Sequence, residues 1–273
     1  MNVIFLLSLL SMLLGGRLCS SFSTKTFKRY LQMSRADALR TNLNEIQARI
    51  NQAALQAERD PSSIRLVAVS KTKPVEDIQI LYDAGHRHFG ENYVQELVEK
   101  AQVLPLDIKW HFIGHLQSNK ASKLISSLPN LALLETVDSL KLAKKLNTAL
   151  EALKRDSLDV YLQVHTSSEV TKAGVSPSEL PDLVTSILQE CPLLKIKGVM
   201  TIGEEGNSSC FDSLFSCRER VAEILGLSSP DSLALSMGMS DDFEEAIAKG
   251  STSVRVGSSI FGARDYSQQQ KEI

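Results

Sequence analysis

Eight short runs of β-forming residues, each followed by a longer stretch, constrain this chain more than any other feature. The runs are Leu66–Ser70, His86–Phe89, Lys109–Ile113, Leu133–Val137, Val160–His165, Ile196–Thr201, Leu233–Ser236 and Ser253–Val256. Amphipathic stretches lie between them, among them Val75–Ala84, Tyr93–Val103, Ser139–Leu153, Leu180–Gln189 and Asp241–Lys249. Run starts fall about 20 to 37 residues apart, which fits a strand, a helix and two turns rather than a hairpin. Eight such units predict a single (β/α)8 barrel, a TIM barrel. A doubly wound open sheet is the competing arrangement, but no Gly-x-Gly-x-x-Gly turn supports it. Ahead of the first run, Leu39, Leu43, Ile46 and Ile50 recur at helical spacing and stop before Asp60-Pro61, predicting a lead helix.

No internal repeat or Pro/Gly-rich linker divides the body, so residues 34–265 read as one domain and residues 266–273 as a polar tail. Residues 1–33 read as a leader. Val3 to Leu14 is almost wholly apolar, too short to span a bilayer but of the length of a signal-peptide core. The following Ser21-Phe-Ser-Thr-Lys-Thr-Phe-Lys-Arg29 is basic, Ser-rich and free of acid, as transit segments are. A signal followed by a transit stretch is the layout of proteins bound for plastids with extra membranes. The rival reading is a true start at Met33. The expected location is therefore an intracellular reducing compartment: plastid or mitochondrion through the leader, cytoplasm without it. Residues 1–36 carry five basic side chains and no acidic one, whereas the remainder holds 25 basic and 32 acidic residues. That balance, without a basic stripe, argues against nucleic-acid binding, and no membrane association is expected of the mature domain. Outside the leader the cysteines are Cys191, Cys210 and Cys217. Their odd number and wide spacing argue against a disulfide framework or a zinc site.

Lys71 ends the first run, Arg65-Leu-Val-Ala-Val-Ser-Lys-Thr-Lys-Pro74. The carboxyl ends of barrel strands are where chemistry is done, and a partly desolvated lysine there is suited to imine formation with carbonyl compounds. A surface lysine capping the strand is the plainer alternative. The loops after runs seven and eight are the usual phosphate site of such barrels. Here they read Ser236-Met-Gly-Met-Ser240 and Val256-Gly-Ser-Ser-Ile-Phe-Gly262, whose small residues let backbone N–H groups and hydroxyls approach an anion. For Ser240 the competing role is N-cap of a helix beginning at Asp241-Asp242. Arg255, flanked by Val254 and Val256, either snorkels to solvent or is aimed into a site; it stays charged at any working pH and can only donate.

Six segments together carry a family resemblance. They are Val67-Ala-Val-Ser-Lys71-Thr-Lys-Pro, Phe89-Gly-Glu-Asn-Tyr-Val-Gln-Glu96, Trp110-His-Phe-Ile-Gly-His-Leu-Gln-Ser-Asn-Lys120, Met200-Thr-Ile-Gly203, Leu235-Ser-Met-Gly-Met-Ser-Asp-Asp-Phe243 and Val254-Arg-Val-Gly-Ser-Ser-Ile-Phe-Gly-Ala-Arg264. In this order, over about residues 36–264, they resemble the pyridoxal phosphate homeostasis protein family. The resemblance implies a barrel like the amino-terminal domain of alanine racemase, with pyridoxal 5'-phosphate as cofactor. It implies Lys71 as the Schiff-base lysine, Ser240, Gly257 and Ser258 as phosphate ligands, and Arg255 as partner of the pyridine nitrogen. The implied role is buffering or delivery of the cofactor, with dependent apoenzymes as recipients, rather than catalysis. Two readings compete with it: an amino-acid racemase, and a Schiff-base aldolase acting on a sugar phosphate. Alanine racemases draw a second acid–base group from an additional β domain. Here the chain ends soon after Ala263, so that domain is expected to be absent and the protein to be a monomer. This chain departs from the family at Gln163-Val-His-Thr166, where Asn is frequent in place of His165. His165 either alters the floor of the cofactor pocket or is satisfied by backbone neighbours. His86 and His88 are expected to alternate on one strand, with no third residue at metal-ligand spacing. Asn92 and His111, at strand ends, are expected to line the pocket.

Overall fold

The computed structural model describes residues 24–169 and 173–263, with side chains from Arg35 onward. The signal-like stretch and the polar tail lie outside the described residues. A lead helix α1 (Thr24–Gln56) precedes eight strand–helix units. They are β1 (Arg65–Val69) and α2 (Val75–Asp83), β2 (His88–Glu91) and α3 (Val94–Val103), β3 (Lys109–Phe112) and α4 (Ala121–Ser127), and β4 (Leu131–Val137) and α5 (Leu140–Ala152). The second half contains β5 (Leu158–Gln163) and α6 (Leu180–Glu190), β6 (Leu194–Met200) and α7 (Ser209–Ile224), β7 (Ala234–Ser236) and α8 (Phe243–Ala248), and β8 (Ser253–Val256) and α9 (Ser258–Phe261). The strands close in sequence order, all parallel, with β1 pairing β8 from Arg65↔Ser253 to Ala68↔Val256.

Successive side chains of a strand point to opposite faces, and that parity assigns each residue a layer. Leu66 and Ala68 of β1, Phe89 of β2, Trp110 and Phe112 of β3 and Val254 and Val256 of β8 join the apolar layer between barrel and helices. The alternate positions face the barrel axis, where Leu133, Tyr161 and Met200 form a small separate cluster. Leu39, Leu43, Ile46 and Ile50 are all buried on α1, as their spacing predicts. Arg49 of α1 pairs with Glu244 of α8 through two 2.8 Å bonds. Arg59, just past α1, donates to the carbonyls of Ile247 and Ser251. The lead helix thereby covers the seam where the barrel closes.

The strand boundaries differ from expectation in one informative place. The second strand begins at His88, not His86, and runs on through Gly90 and Glu91. His86 lies before it, its Nε2 bonded to the His88 carbonyl at 2.7 Å, so the two histidines do not alternate on one strand. Among the described residues no cluster of His, Cys, Asp and Glu has the arrangement of a metal site. The cysteines at 191, 210 and 217 are free and buried. No described helix is long and apolar enough to cross a membrane.

Candidate functional site

Lys71 lies two residues past the end of β1, at the C-terminal mouth of the barrel, where it is half-buried. It occupies the second position of a turn closed by the Lys73 N–H on the Ser70 carbonyl at 3.0 Å. The third position, Thr72, has φ +61°, the left-handed value that a type II turn requires and that glycine usually supplies. Lys73 turns elsewhere: its Nζ donates to the carbonyls of Gly262 and Ala263 at 3.0 and 2.8 Å.

The two small-residue loops converge beside this strand. The Ser240 hydroxyl accepts the Gly257 N–H at 3.3 Å, tying the loop after β7 to the loop after β8. Ser240 is not a helix cap; Asp242 precedes the first turn of α8, and its carboxylate accepts the Met239 N–H. A Cβ on Gly257 would lie 3.3 Å from both the Cβ and the carbonyl oxygen of Val69, so absence of a side chain lets this loop sit against the end of β1. Ser258 opens α9 and is exposed. Behind α9, Arg35 donates to the Phe261 carbonyl at 2.8 Å and to Asp77, and Asn42 donates to the Ile260 carbonyl at 2.9 Å. With Lys73, these donors grip the carbonyl end of α9 and fix where its amino end points.

Arg255 is aimed inward rather than snorkelling, 4% exposed in the barrel interior. One terminal nitrogen donates to the Ser236 hydroxyl and the other to the Thr201 carbonyl, each at 2.7 Å. Thr201 follows β6 directly and Ser236 ends β7, which places the guanidinium at the C-terminal level of the barrel. Its charge is compensated by a residue that motif reasoning missed. Glu135 of β4, 0% exposed, accepts from Ser236 on one oxygen and from His111 Nδ1 at 2.7 Å on the other. Burial raises the Glu135 pKa, but the bonds from His111 and Ser236 and the charge of Arg255 outweigh it and hold the carboxyl below its usual range. Burial lowers the Arg255 pKa, with Glu135 and Asp242 opposing, yet a guanidinium remains charged at neutral pH.

His111 therefore does not line the mouth. Its Nε2 meets His88 Nδ1 at 3.0 Å, and with His88 it faces a depression of about 510 Å³ at the opposite, N-terminal end of the barrel, along with Arg65 and Tyr161. Desolvation pushes His88 down to about 3, aided first by the neighbouring His111 and then by Arg65, so it is neutral near pH 7. The two rings share one hydrogen bond, and His111 Nδ1 and the Ser236 hydroxyl both bond Glu135, whose ionised carboxylate only accepts. Asn92 does lie at the mouth end of β2, and its Oδ1 is buried without a hydrogen-bond partner; so is Oε1 of Gln163 at the end of β5. His165 is held locally, its Nε2 bonded to the Glu169 carbonyl at 2.8 Å, which matches the backbone-satisfied reading. Thr201 explains much of the Met200-Thr-Ile-Gly203 segment: besides serving Arg255, its hydroxyl bonds Thr166 and the Gly203 N–H.

A second buried polar cluster sits on the outer side of β1, behind Lys71. Lys100 of α3, 5% exposed, donates to Glu91 at 2.7 Å, Glu96 at 2.6 Å and the Ser70 carbonyl at 2.8 Å. Burial pushes the Glu91 carboxyl up to about 7, overcoming the Lys100 ammonium beside it.

The family of the alanine racemase N-terminal domain matches residues 35–265. A pyridoxal phosphate homeostasis protein of Bos taurus is 48% identical, the match covering 83% of this chain and 88% of that protein. The structure of PipY of Synechococcus elongatus with pyridoxal phosphate bound is 36% identical, with a TM-score of 0.63, covering 80% of this chain and 100% of the other. Alanine racemase of Corynebacterium glutamicum shares the fold, with a TM-score of 0.60 at 16% identity over 85% of this chain and 62% of that one.

Proposed function

Since the chain belongs to the alanine racemase N-terminal domain family and, within it, to the pyridoxal phosphate homeostasis proteins, we propose that it binds pyridoxal 5'-phosphate at the C-terminal mouth of its barrel. On this reading Lys71 holds the cofactor as a Schiff base, and the protein buffers it and hands it to apoenzymes. One observation carries the reading: Lys71, the joined loops of Ser240, Gly257 and Ser258, and the buried Arg255 all belong to one end of one barrel.

When bound, the cofactor brings an aldehyde, a phosphate and a pyridine nitrogen, and the residues present suit each. Lys71 supplies an amine at a partly desolvated position. Ser240, Gly257 and Ser258 supply a hydroxyl and a backbone free of Cβ bulk at Gly257. Each terminal nitrogen of Arg255 keeps a second hydrogen beyond the bonds to Ser236 and Thr201. The orphaned amide oxygens of Asn92 and Gln163 are buried polar groups of the kind a polar ligand satisfies.

The same geometry favours a carrier over a catalyst. A pyridinium protonated by a carboxylate is the electron sink that drives carbanion chemistry. Arg255 instead donates without giving up its proton. Glu135 is already occupied by His111 and Ser236, two hydrogen bonds behind the guanidinium through the Ser236 hydroxyl. The test is to incubate cofactor-loaded protein with L-amino acids in deuterated water and follow exchange at Cα. No substantial exchange is expected. Rapid exchange with inversion, abolished by Lys71→Ala, would make the protein a racemase and overturn the carrier reading.

A further inference from the structure

The cluster behind Lys71 has a cost and a location that together assign it a task. Burying an ammonium with one fully buried and one partly buried carboxylate is expensive and adds little net stability over apolar packing. Glu91 is fully buried, and its Oε2 has no hydrogen-bond partner. Yet the bonds from this cluster to the backbone fall on the two residues that bracket Lys71. Lys100 Nζ holds the Ser70 carbonyl at 2.8 Å, and Glu96 Oε1 holds the Thr72 N–H at 2.6 Å. Glu91 completes the arrangement by accepting from the Ser70 hydroxyl at 2.6 Å. Thr72 is also where the backbone is strained: a β-branched residue at φ +61° is a genuine outlier, and such strain persists only where surrounding structure over-determines it.

The cluster lies on the helix side of the strand: Glu91 shares the parity of helix-facing Phe89 and is bonded by the Ser70 hydroxyl and by Lys100 of α3. The cluster therefore works through the backbone, not through the cofactor. We propose that Glu91, Glu96 and Lys100 are positioning residues that clamp the Ser70–Lys73 turn in its strained form, so that the Lys71 amine is presented to the aldehyde of its ligand. This rests on Lys71 being the imine-forming residue.

The clamp accounts for a side-chain set that the carrier reading leaves unused. It also explains why a turn demanding a left-handed third residue tolerates threonine: Glu96 supplies from α3 the restraint that glycine would make unnecessary.

The test measures the rate of imine formation by absorbance after mixing full-length protein with pyridoxal 5'-phosphate, for wild type, Glu96→Gln, Lys100→Met, Thr72→Gly and the double variant Glu96→Gln/Thr72→Gly. Circular dichroism checks the fold of each, and borohydride trapping on the wild type checks the premise separately. Glu96→Gln and Lys100→Met are expected to slow imine formation about tenfold, the equivalent of one charge-assisted hydrogen bond. Thr72→Gly alone is expected to react near the wild-type rate, because glycine adopts the left-handed turn without strain. In the Glu96→Gln background it is expected to restore most of the lost rate. A structural role for Glu96 alone would not be rescued at Thr72. Glu96→Gln reacting at the wild-type rate, or no rescue by Thr72→Gly, overturns the clamp. Should Lys100→Met fail to fold, the Glu96 and Thr72 variants decide the question. Absence of trapping on wild-type Lys71 would instead overturn the premise and leave the clamp's geometry without this role.

Discussion

Replacing Glu135 by Gln removes the one carboxylate that accepts from His111 and Ser236 and offsets Arg255 in the dry interior. The amide retains one acceptor oxygen and presents an NH2 to a site where both neighbours donate, so at least one donor is left facing another. Two charge-assisted hydrogen bonds are weakened, the buried pair with His111 is broken, and the guanidinium keeps only Asp242 of its two compensating carboxylates. Breaking a buried pair from one side typically costs about 3–5 kcal/mol. For a domain of this size each kcal/mol lowers Tm by about 2–4 °C, so a fall of about 6–20 °C is expected. Thermal unfolding followed by circular dichroism measures it. The double variant Glu135→Gln/Arg255→Gln is the control, since removing both charges is expected to cost less than the sum of the single losses by at least about 1 kcal/mol. A single-variant Tm within about 2 °C of wild type, or strict additivity in the cycle, would refute the network as an electrostatic unit.

Arg255→Ala is expected to weaken cofactor retention and shift the imine absorption band, because the ring nitrogen loses its donor; an unchanged spectrum and affinity would return Arg255 to a purely structural role. Ser240→Ala is expected to raise the Kd for pyridoxal 5'-phosphate by an amount worth about 1–3 kcal/mol, as for one charge-assisted bond, read by titration of absorbance. Acidification below the ordinary histidine pKa of 6.5 is expected to destabilise the fold through His86 and His88, held down at about 4 and 3 by burial. The unfolded chain binds the histidine protons first, so their contribution is lost as pH drops through that window, while Glu91, held up at about 7 in the folded state, offsets part of the loss. Urea midpoints at pH 7 and pH 5 check this, and His86→Phe should flatten the difference.

The barrel was legible because its strands are apolar runs cut by helical stretches, and Lys71 because it closes the first of those runs, at the strand end where barrels place their chemistry. Loops of small residues at Ser240 and Gly257–Ser258 stood out for the same local reason. Glu135 did not, since it reads as the one charged residue in Leu133-Leu-Glu-Thr-Val137, and only closure of the barrel brings Ser236 and Arg255 near it. Glu96 and Lys100 look on sequence like an ordinary i,i+4 surface pair; their burial comes from packing of α3 against the turn after β1. The displaced start of β2 has a similar cause. His86 and His88 have the spacing of a strand face, but Gly85, at φ +97°, breaks the chain direction just before them, and the hydrogen bond from His86 to the His88 carbonyl consumes the first ring in the turn.

The most direct test of the account is to load the protein with pyridoxal 5'-phosphate, reduce it with borohydride and map the modified peptide. Lys71 and Lys73 are two residues apart, yet Lys71 sits half-buried at the barrel mouth whereas Lys73 donates to the carbonyls of Gly262 and Ala263. The account predicts that the label falls on Lys71 and disappears in Lys71→Ala. A label on Lys73, or a protein that takes up no cofactor, would contradict it.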